Sequence, residues 1–282
     1  MRPIFRLLRA GNVAVSFVGT MVGGLVALGA GVRISGLDLL LFLLAGASAA
    51  LVTAGGNVLN DVLDVGGDRR NHPDRPLVTG EVTVAGARRL ATALFVVGIA
   101  AGAAVAVREP LVAVLLGVAV ASLLGYELRW KARGFVGNLV VGLLTGLVFL
   151  YGAAAAGAAL LLAPFALMAF FATVSREVIK DMEDAAGDVG RRTLPRVHGL
   201  SWSATVARSC VGTAVVLSAV PLLWFVPLAS VAGIMYLGLV AAADAVFLLS
   251  VAYLPGRLHW EQTMSKVAMS VALLAFLAVA FR

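Results

Sequence analysis

Charge is what this 282-residue chain has least of: Asp, Glu, Lys and Arg make up 13% of it and hydrophobic residues 61%. Soluble domains run at about 25% charged and about 45–50% apolar, so an ordinary water-soluble fold is excluded. Cysteine is almost missing as well. The single Cys210 excludes an intrachain disulfide. The three histidines, His72, His198 and His259, lack the paired spacing of metal ligands, which argues against zinc. Polar and apolar residues do not alternate, since Leu139 to Leu150 is apolar on every face; a membrane β-barrel is therefore rejected and helices are expected. No soluble stretch is left to present a basic face, so the net charge of +7 does not point to nucleic acid.

What is present instead is apolar length. A bilayer core about 30 Å thick takes about 20 apolar residues per helix. Nine such runs can be drawn, at roughly 12–32, 38–60, 86–107, 110–128, 135–155, 158–179, 201–223, 229–252 and 263–281. No small-residue cleavage site follows Asn12 to Gly31, so that run is expected to stay as the first span. The expectation is an all-α polytopic membrane protein, a single domain over residues 1–282 with about nine transmembrane helices around a central cavity. Trp130, Trp202 and Trp260 read as interfacial belt residues, and the 31 glycines suit close helix packing. Asp244, alone in the eighth run, is an intramembrane acid that should face either the cavity or another helix.

The cations are one-sided. Of the 22 Lys and Arg, all but Arg33, Arg108 and Arg282 fall at the amino terminus or at the loops after the second, fourth, sixth and eighth runs. Lys and Arg collect in cytoplasmic loops. The amino terminus is therefore expected in the cytoplasm, beneath the cell membrane, within a basic collar that attracts anionic lipid and anionic substrates.

The acids cluster on the same side. Five of the 15 fall at positions 61, 64, 68, 74 and 81, and five more at 177, 181, 183, 184 and 188. Within each cluster three aspartates repeat at i, i+3 and i+7: Asp61, Asp64, Asp68 and then Asp181, Asp184, Asp188. That spacing puts each trio on one helical face. The trios are offset by the same 120 residues, 61 to 181, 64 to 184 and 68 to 188, as if one device were built twice. Like charges on one face repel, so a cation should hold them. Carboxylate oxygens are hard donors suited to Mg²⁺, which is commonly shared between carboxylates and substrate phosphates. Two carboxylate sets with basic residues nearby thus point to a diphosphate held through Mg²⁺. Solvated helix ends paired with nearby arginines are the plainer alternative.

Read in order, Asn60-Asp61-Val62-Leu63-Asp64-Val65-Gly66-Gly67-Asp68, followed by Asn71, Pro73, Arg75 and Pro76, resembles the N-D-x-x-D-x-x-x-D signature of the UbiA superfamily of intramembrane prenyltransferases with its N-x-P-x-R-P continuation. The second stretch, Arg176-Glu177-Val178-Ile179-Lys180-Asp181-Met182-Glu183-Asp184-Ala185-Ala186-Gly187-Asp188, is similar to the superfamily's second aspartate motif. Its R-E-x-x-K-D-x-E-D-x-x-G-D form is similar to that of the archaeal ether-lipid branch, the digeranylgeranylglyceryl phosphate synthases. Tyr126 with Lys131, Asn138 and Asn12 resemble further family positions. The Gly66-Gly67 pair is a departure, expected to loosen the helix end before Asp68.

The resemblance implies a UbiA-type fold and a Mg²⁺-dependent prenyltransferase, in which an allylic diphosphate loses pyrophosphate and an acceptor attacks the electron-deficient carbon. It implies Asp64, Asp68, Asp184 and Asp188 as core metal ligands, with Asp61 and Asp181 as ligands or orienting partners, all six being catalytic. Asn60 would add its amide oxygen to the metal. Lys131, Arg69 and Arg75 would bind diphosphate oxygens, and Asn57, Asn138, Asn12 and Lys180 complete the substrate-binding set. For each asparagine a helix-to-helix hydrogen bond is an equal alternative. Tyr126 would turn its ring face to the developing cation or belong to the interfacial belt. Loops at about 61–85 and about 181–200 are expected to cap the site and exclude water.

The leading function is transfer of a geranylgeranyl group from its diphosphate to geranylgeranylglyceryl phosphate, in archaeal-type ether-lipid synthesis. The alternative acceptor is an aromatic acid of quinone synthesis, 4-hydroxybenzoate or a naphthoate, and Arg191, Arg192 and Arg196 would suit either anion. A secondary transporter is the alternative from another class, but its site would lie near the membrane midplane rather than at one face.

Overall fold

The computed structural model describes residues 3–29, 35–131, 133–185 and 192–282. In chain order the helices are α1 (Pro3–Leu8), α2 (Ala10–Leu28), α3 (Gly36–Asn71), α4 (Val84–Ala106), α5 (Leu111–Gly125), α6 (Phe135–Ala155), α7 (Ala163–Asp184), α8 (Leu194–His198), α9 (Leu200–Ser218), α10 (Val220–Trp224), α11 (Val231–Ala252) and α12 (Leu258–Ala278). A π turn over Tyr126–Trp130 prolongs α5. Among the described residues nine helices are long and apolar enough to cross a membrane, one for each apolar run. The short α1 and α8 lie before or between them, and α10 forms the end of the seventh.

Residues that point outward from the bundle are apolar too: Leu223 is 84% exposed and Val231 76%. Such exposure is unfavourable in water and expected against lipid tails. Where helices meet, small residues let backbones touch. α2 crosses α6 so closely that a Cβ on Gly152 would lie 1.9 Å from the Thr20 carbonyl oxygen, so no side chain fits there. Polar groups inside pair across helices. Tyr151 on α6 donates its hydroxyl to Ser48 Oγ on α3 at 3.0 Å, and Ser48 donates to the Gly98 carbonyl on α4 at 2.7 Å; bonds of this kind contribute about 1 kcal/mol each. Phe165 packs edge-on against Phe276 with centroids 4.6 Å apart, which ties α7 to α12. Asp244 on α11 accepts from Ser218 Oγ of α9 at 2.7 Å. This intramembrane acid therefore faces a neighbouring helix.

The second run extends furthest beyond its sequence boundaries. A capping box between Ser35 and Asp38 fixes the start of α3, which then runs for 36 residues. That is about 54 Å at about 1.5 Å per residue, well beyond an apolar core of about 30 Å. Its last turns, with Asp61, Asp64 and Asp68, emerge as helix rather than as loop. The Gly66-Gly67 pair does not loosen this end, because α3 continues unbroken to Asn71. A propensity penalty of about 1 kcal/mol per glycine is too small to break a helix already propagating from a long apolar stem.

Candidate active site

Three helices, α3, α5 and α7, run towards one face of the bundle, and α2 and α6 start from it. Side-chain contacts between these ends show it: Arg9 reaches Asp61, Lys131 reaches Asp64 and Asn138 reaches Asp181. Asp61, Asp64, Asp68, Asp181 and Asp184 thus ride on helix C-terminal ends. The macrodipole there favours cations, each by about 0.3–1 kcal/mol, so carboxylates in this place oppose the stability of their own helices.

The first set is clamped by cations from three separate elements. Asp61 and Asp68 are 4% and 6% exposed. Arg75, in the turn after α3, folds back to place Nη1 2.5 Å from Asp68 Oδ2 and 3.2 Å from Asp61 Oδ1. Arg9 donates from Nη2 to Asp61 Oδ1 at 2.6 Å and to Asn60 Oδ1 at 2.8 Å. Lys131, just past the π turn, sets its ammonium on Asp64 and 3.6 Å from Glu127. Glu127 in turn accepts the Asn60 amide on both carboxylate oxygens, at 3.0 and 2.9 Å.

Arg9 occupies the break between α1 and α2, at φ 52° and ψ 65°. It is the one non-glycine residue with positive φ among those described. Such a conformation costs about 1–3 kcal/mol and persists where surrounding contacts over-determine it. The bonds to Asn60 and Asp61 are those contacts.

Other elements reach the second set. Asp181, 9% exposed, accepts from Asn138 Nδ2 of α6 at 2.9 Å. Asp184 is exposed at the end of α7. Glu177 takes Arg176 at 3.0 Å and Lys180 at 3.6 Å, both from its own helix. Glu183 accepts from Gln262 and lies 3.2 Å from His259 Nδ1, which fastens the end of α7 to the start of α12. Asp188 and Arg191 lie outside the described residues.

The remaining expected residues divide. The Tyr126 ring lies over the start of α6, 3.4 Å from where a Cβ on Gly137 would stand, next to Asn138. Asn57 donates to the Leu8 carbonyl at 2.9 Å, a helix-to-helix bond between α3 and α1. Asn12 is exposed on the wall of a cavity of about 390 Å³ shared with Phe5, Arg6 and Arg9. Arg69, Arg192 and Lys180 are exposed. The structure therefore brings Asn60, Asp61, Asp64, Asp68, Arg75 and Lys131 into one network and joins Asp181 to Asn138, with Arg69 and Asn12 outside both.

Two members of the first network carry no role in the sequence reading. Arg9 is there only one cation of the basic collar, yet it grips the first aspartate. Glu127 carries no role from the aspartate motifs, although an acid at the end of an apolar run, four residues before Lys131, is a signal of an intramembrane ion pair.

Among the described residues, no three Asp, Glu, His or Cys side chains converge closely enough to hold one metal ion. The chemistry of the donors still fits a hard divalent cation. They are carboxylate oxygens, and Asp61, Asp64 and Asp68 already draw positive charge from Arg9, Lys131 and Arg75, so the cluster suits a cation at its carboxylates.

The sequence pattern of the UbiA prenyltransferase family matches residues 16–280. The chain is 39% identical to the digeranylgeranylglyceryl phosphate synthase of Methanoculleus marisnigri over 86% of this chain and 83% of that one. It is 37% identical to the enzyme of that name from Methanopyrus kandleri over 99% of each. A solved structure from work on digeranylgeranylglyceryl phosphate synthase in membranes superposes with a TM-score of 0.81 at 28% identity, covering 99% of this chain and 97% of that one. A UbiA homologue from Archaeoglobus fulgidus bound to GPP and Mg²⁺ shares the fold, with a TM-score of 0.65 at 18% identity over 97% and 99% of the two chains.

Proposed function

The chain belongs to the UbiA prenyltransferase family, and on that premise we propose that it transfers a geranylgeranyl group from its diphosphate to geranylgeranylglyceryl phosphate. The product is a second ether bond and free pyrophosphate, a step of archaeal-type ether-lipid synthesis. The observation that carries this choice of acceptor is the 37% identity to a digeranylgeranylglyceryl phosphate synthase from end to end. An aromatic acid as acceptor has no such support.

Asp61, Asp64, Asp68, Asp181, Asp184 and Asp188 would hold Mg²⁺, which when bound supplies charge compensation for the departing pyrophosphate. The chain's own cations act beside it. Arg75 offers a planar fork for phosphate oxygens and Lys131 a point charge. Arg9, by gripping Asp61 and Asn60, fixes the floor on which they stand. The Tyr126 ring presents a π face that attracts positive charge at the allylic carbon. The isoprenoid tail lies among the apolar helices, where water that would capture the cation is scarce.

The test is incubation of the purified protein with radiolabelled geranylgeranyl diphosphate and each acceptor, with Mg²⁺ or with EDTA. Labelled diether phosphate should form with Mg²⁺ and stop with EDTA. Labelled 4-hydroxybenzoate product in place of it would overturn the choice of acceptor, and full turnover in EDTA would overturn the metal.

The aspartate face is assigned to the cytoplasm because it carries the basic loops. In a Cys210→Ser background, cysteines at Ala85 and Val107, on opposite ends of α4, should label from opposite sides, with Ala85 reached from the cytoplasm. Labelling of Ala85 from outside would refute the orientation.

A further inference from the structure

α5 does not finish as an ordinary α-helix. Its end is wound wider, as a π turn over Tyr126–Trp130, with the Lys131 N–H donating to the Tyr126 carbonyl at 2.9 Å. The sequence allows this because residue 125 is glycine. The Trp130 ring lies over it so closely that a Cβ there would sit 2.5 Å from Cζ3. Single π turns in α-helices occur often at functional positions. Here the turn aims Glu127 and Lys131 together at α3, where Glu127 meets Asn60 and Lys131 meets Asp64.

The Glu127 side chain is 7% exposed at the end of a membrane span. Burying an ionised carboxylate is unfavourable by several kcal/mol, and a well-packed hydrophobic residue commonly serves stability as well or better. A buried acid in such a place calls for a role other than packing. It is a poor candidate for a general base, since both of its oxygens already accept the Asn60 amide and an ammonium stands 3.6 Å away. Whatever it does, it does through Asn60 and Lys131.

For Asn60 the consequence is orientation. A carboxylate only accepts hydrogen bonds, so Glu127 fixes Nδ2 on its own side and leaves Oδ1 to Arg9 at 2.8 Å. For Lys131 it is confinement. A lysine ammonium rides a flexible four-carbon stem, and its other anchor, Asp64, is a carboxylate that the proposed function gives to the metal. Glu127 is a second anchor on the same turn of chain that is independent of that metal. We infer that Glu127 is a positioning residue for the prenyl diphosphate site, holding the Lys131 ammonium at the rim of the first aspartate set and locking the Asn60 amide; the inference rests on the proposed function.

The experiment is direct binding of Mg²⁺ with a radiolabelled, non-reacting thiolo analogue of geranylgeranyl diphosphate to the detergent-purified chain. Melting temperature is read on the same samples. Glu127→Gln keeps shape and can keep a bond to Asn60 but loses the charge that retains Lys131, so binding should weaken by about tenfold or more with melting temperature unchanged. Glu127→Asp keeps the charge one methylene shorter and should recover most of the affinity. Wild-type binding by Glu127→Gln, or binding by Glu127→Asp as weak as by Glu127→Gln, would overturn the positioning role and leave the proposed function standing. Failure of the wild-type chain to bind the analogue would overturn both.

Discussion

The two aspartate sets have the same spacing in the sequence, and among the described residues different elements reach them. On α3, buried Asp61 and Asp68 and half-buried Asp64 each meet a guanidinium or ammonium delivered from elsewhere: from the α1–α2 break, from the turn after α3 and from the end of α5. On α7, buried Asp181 receives the neutral amide of Asn138, and Glu177 draws its cations from its own helix. The first set is therefore a tertiary knot, joining segments as far apart as Arg9, Arg75 and Lys131. The second is tied to α6 through Asn138 and, through Glu183, to the start of α12. A repeated motif thus repeats the donors while different elements of the fold reach them, and mutation tests the two sets separately.

Catalysis should treat the sets alike, and this is the largest effect expected. Asp68→Asn and Asp184→Asn each keep volume and remove a charge. If each loses a contact to the transition state worth about 3 kcal/mol, product formation should fall by about a hundredfold in both. Near-normal turnover in Asp184→Asn alone would mean that only the first set is chemical and that the repeat is decorative.

Stability should separate them. Arg75→Leu leaves Asp68 buried without its guanidinium and Asp61 with Arg9 alone. Breaking a buried pair from one side costs about 3 kcal/mol at the lower end of the usual range, which lowers the melting temperature by about 5–10 °C for a chain of this size. Asn138→Leu removes one amide donor from Asp181, a loss of about 1.5 kcal/mol and a correspondingly smaller fall. If Asn138→Leu proves the more damaging of the two in thermal melts, the knot lies in the second set and the comparison is reversed.

The smallest effect tests the helix under the first set. A Cβ at Gly66 meets nothing within 4 Å, and the residue lies in helical backbone. Gly66→Ala should raise stability by about 0.5–1 kcal/mol, seen as a melting temperature higher by about 2 °C. A lower melting temperature would show that this end of α3 needs the freedom of glycine after all.

The nine apolar runs, the one-sided cations and the i, i+3, i+7 aspartates were legible along the chain, and the helices and family followed. These are local quantities. Hydrophobic transfer sums over about 20 neighbouring residues, and helical periodicity places residues a few positions apart on one face, so neither needs knowledge of what lies opposite. The length of α3 past residue 60 was less legible, because polar helix ends carry no apolar signal.

Partner choice belonged to the tertiary structure alone. That Arg9, of all the collar's cations, takes a strained backbone to reach Asp61 depends on where α1 breaks against α3. That Arg75 rather than Arg69 turns inward depends on the path of the chain beyond α3. Glu127 meets Asn60, 67 residues away, only because a π turn aims it there, and Asp244 meets Ser218 only because α11 lies beside α9. Sequence by itself determined which groups are charged, which segments lie in the membrane and at which end of each helix the charges stand. Which charges neutralise one another was decided by packing, since Coulomb attraction falls with distance and distance between remote segments exists only once the helices are assembled.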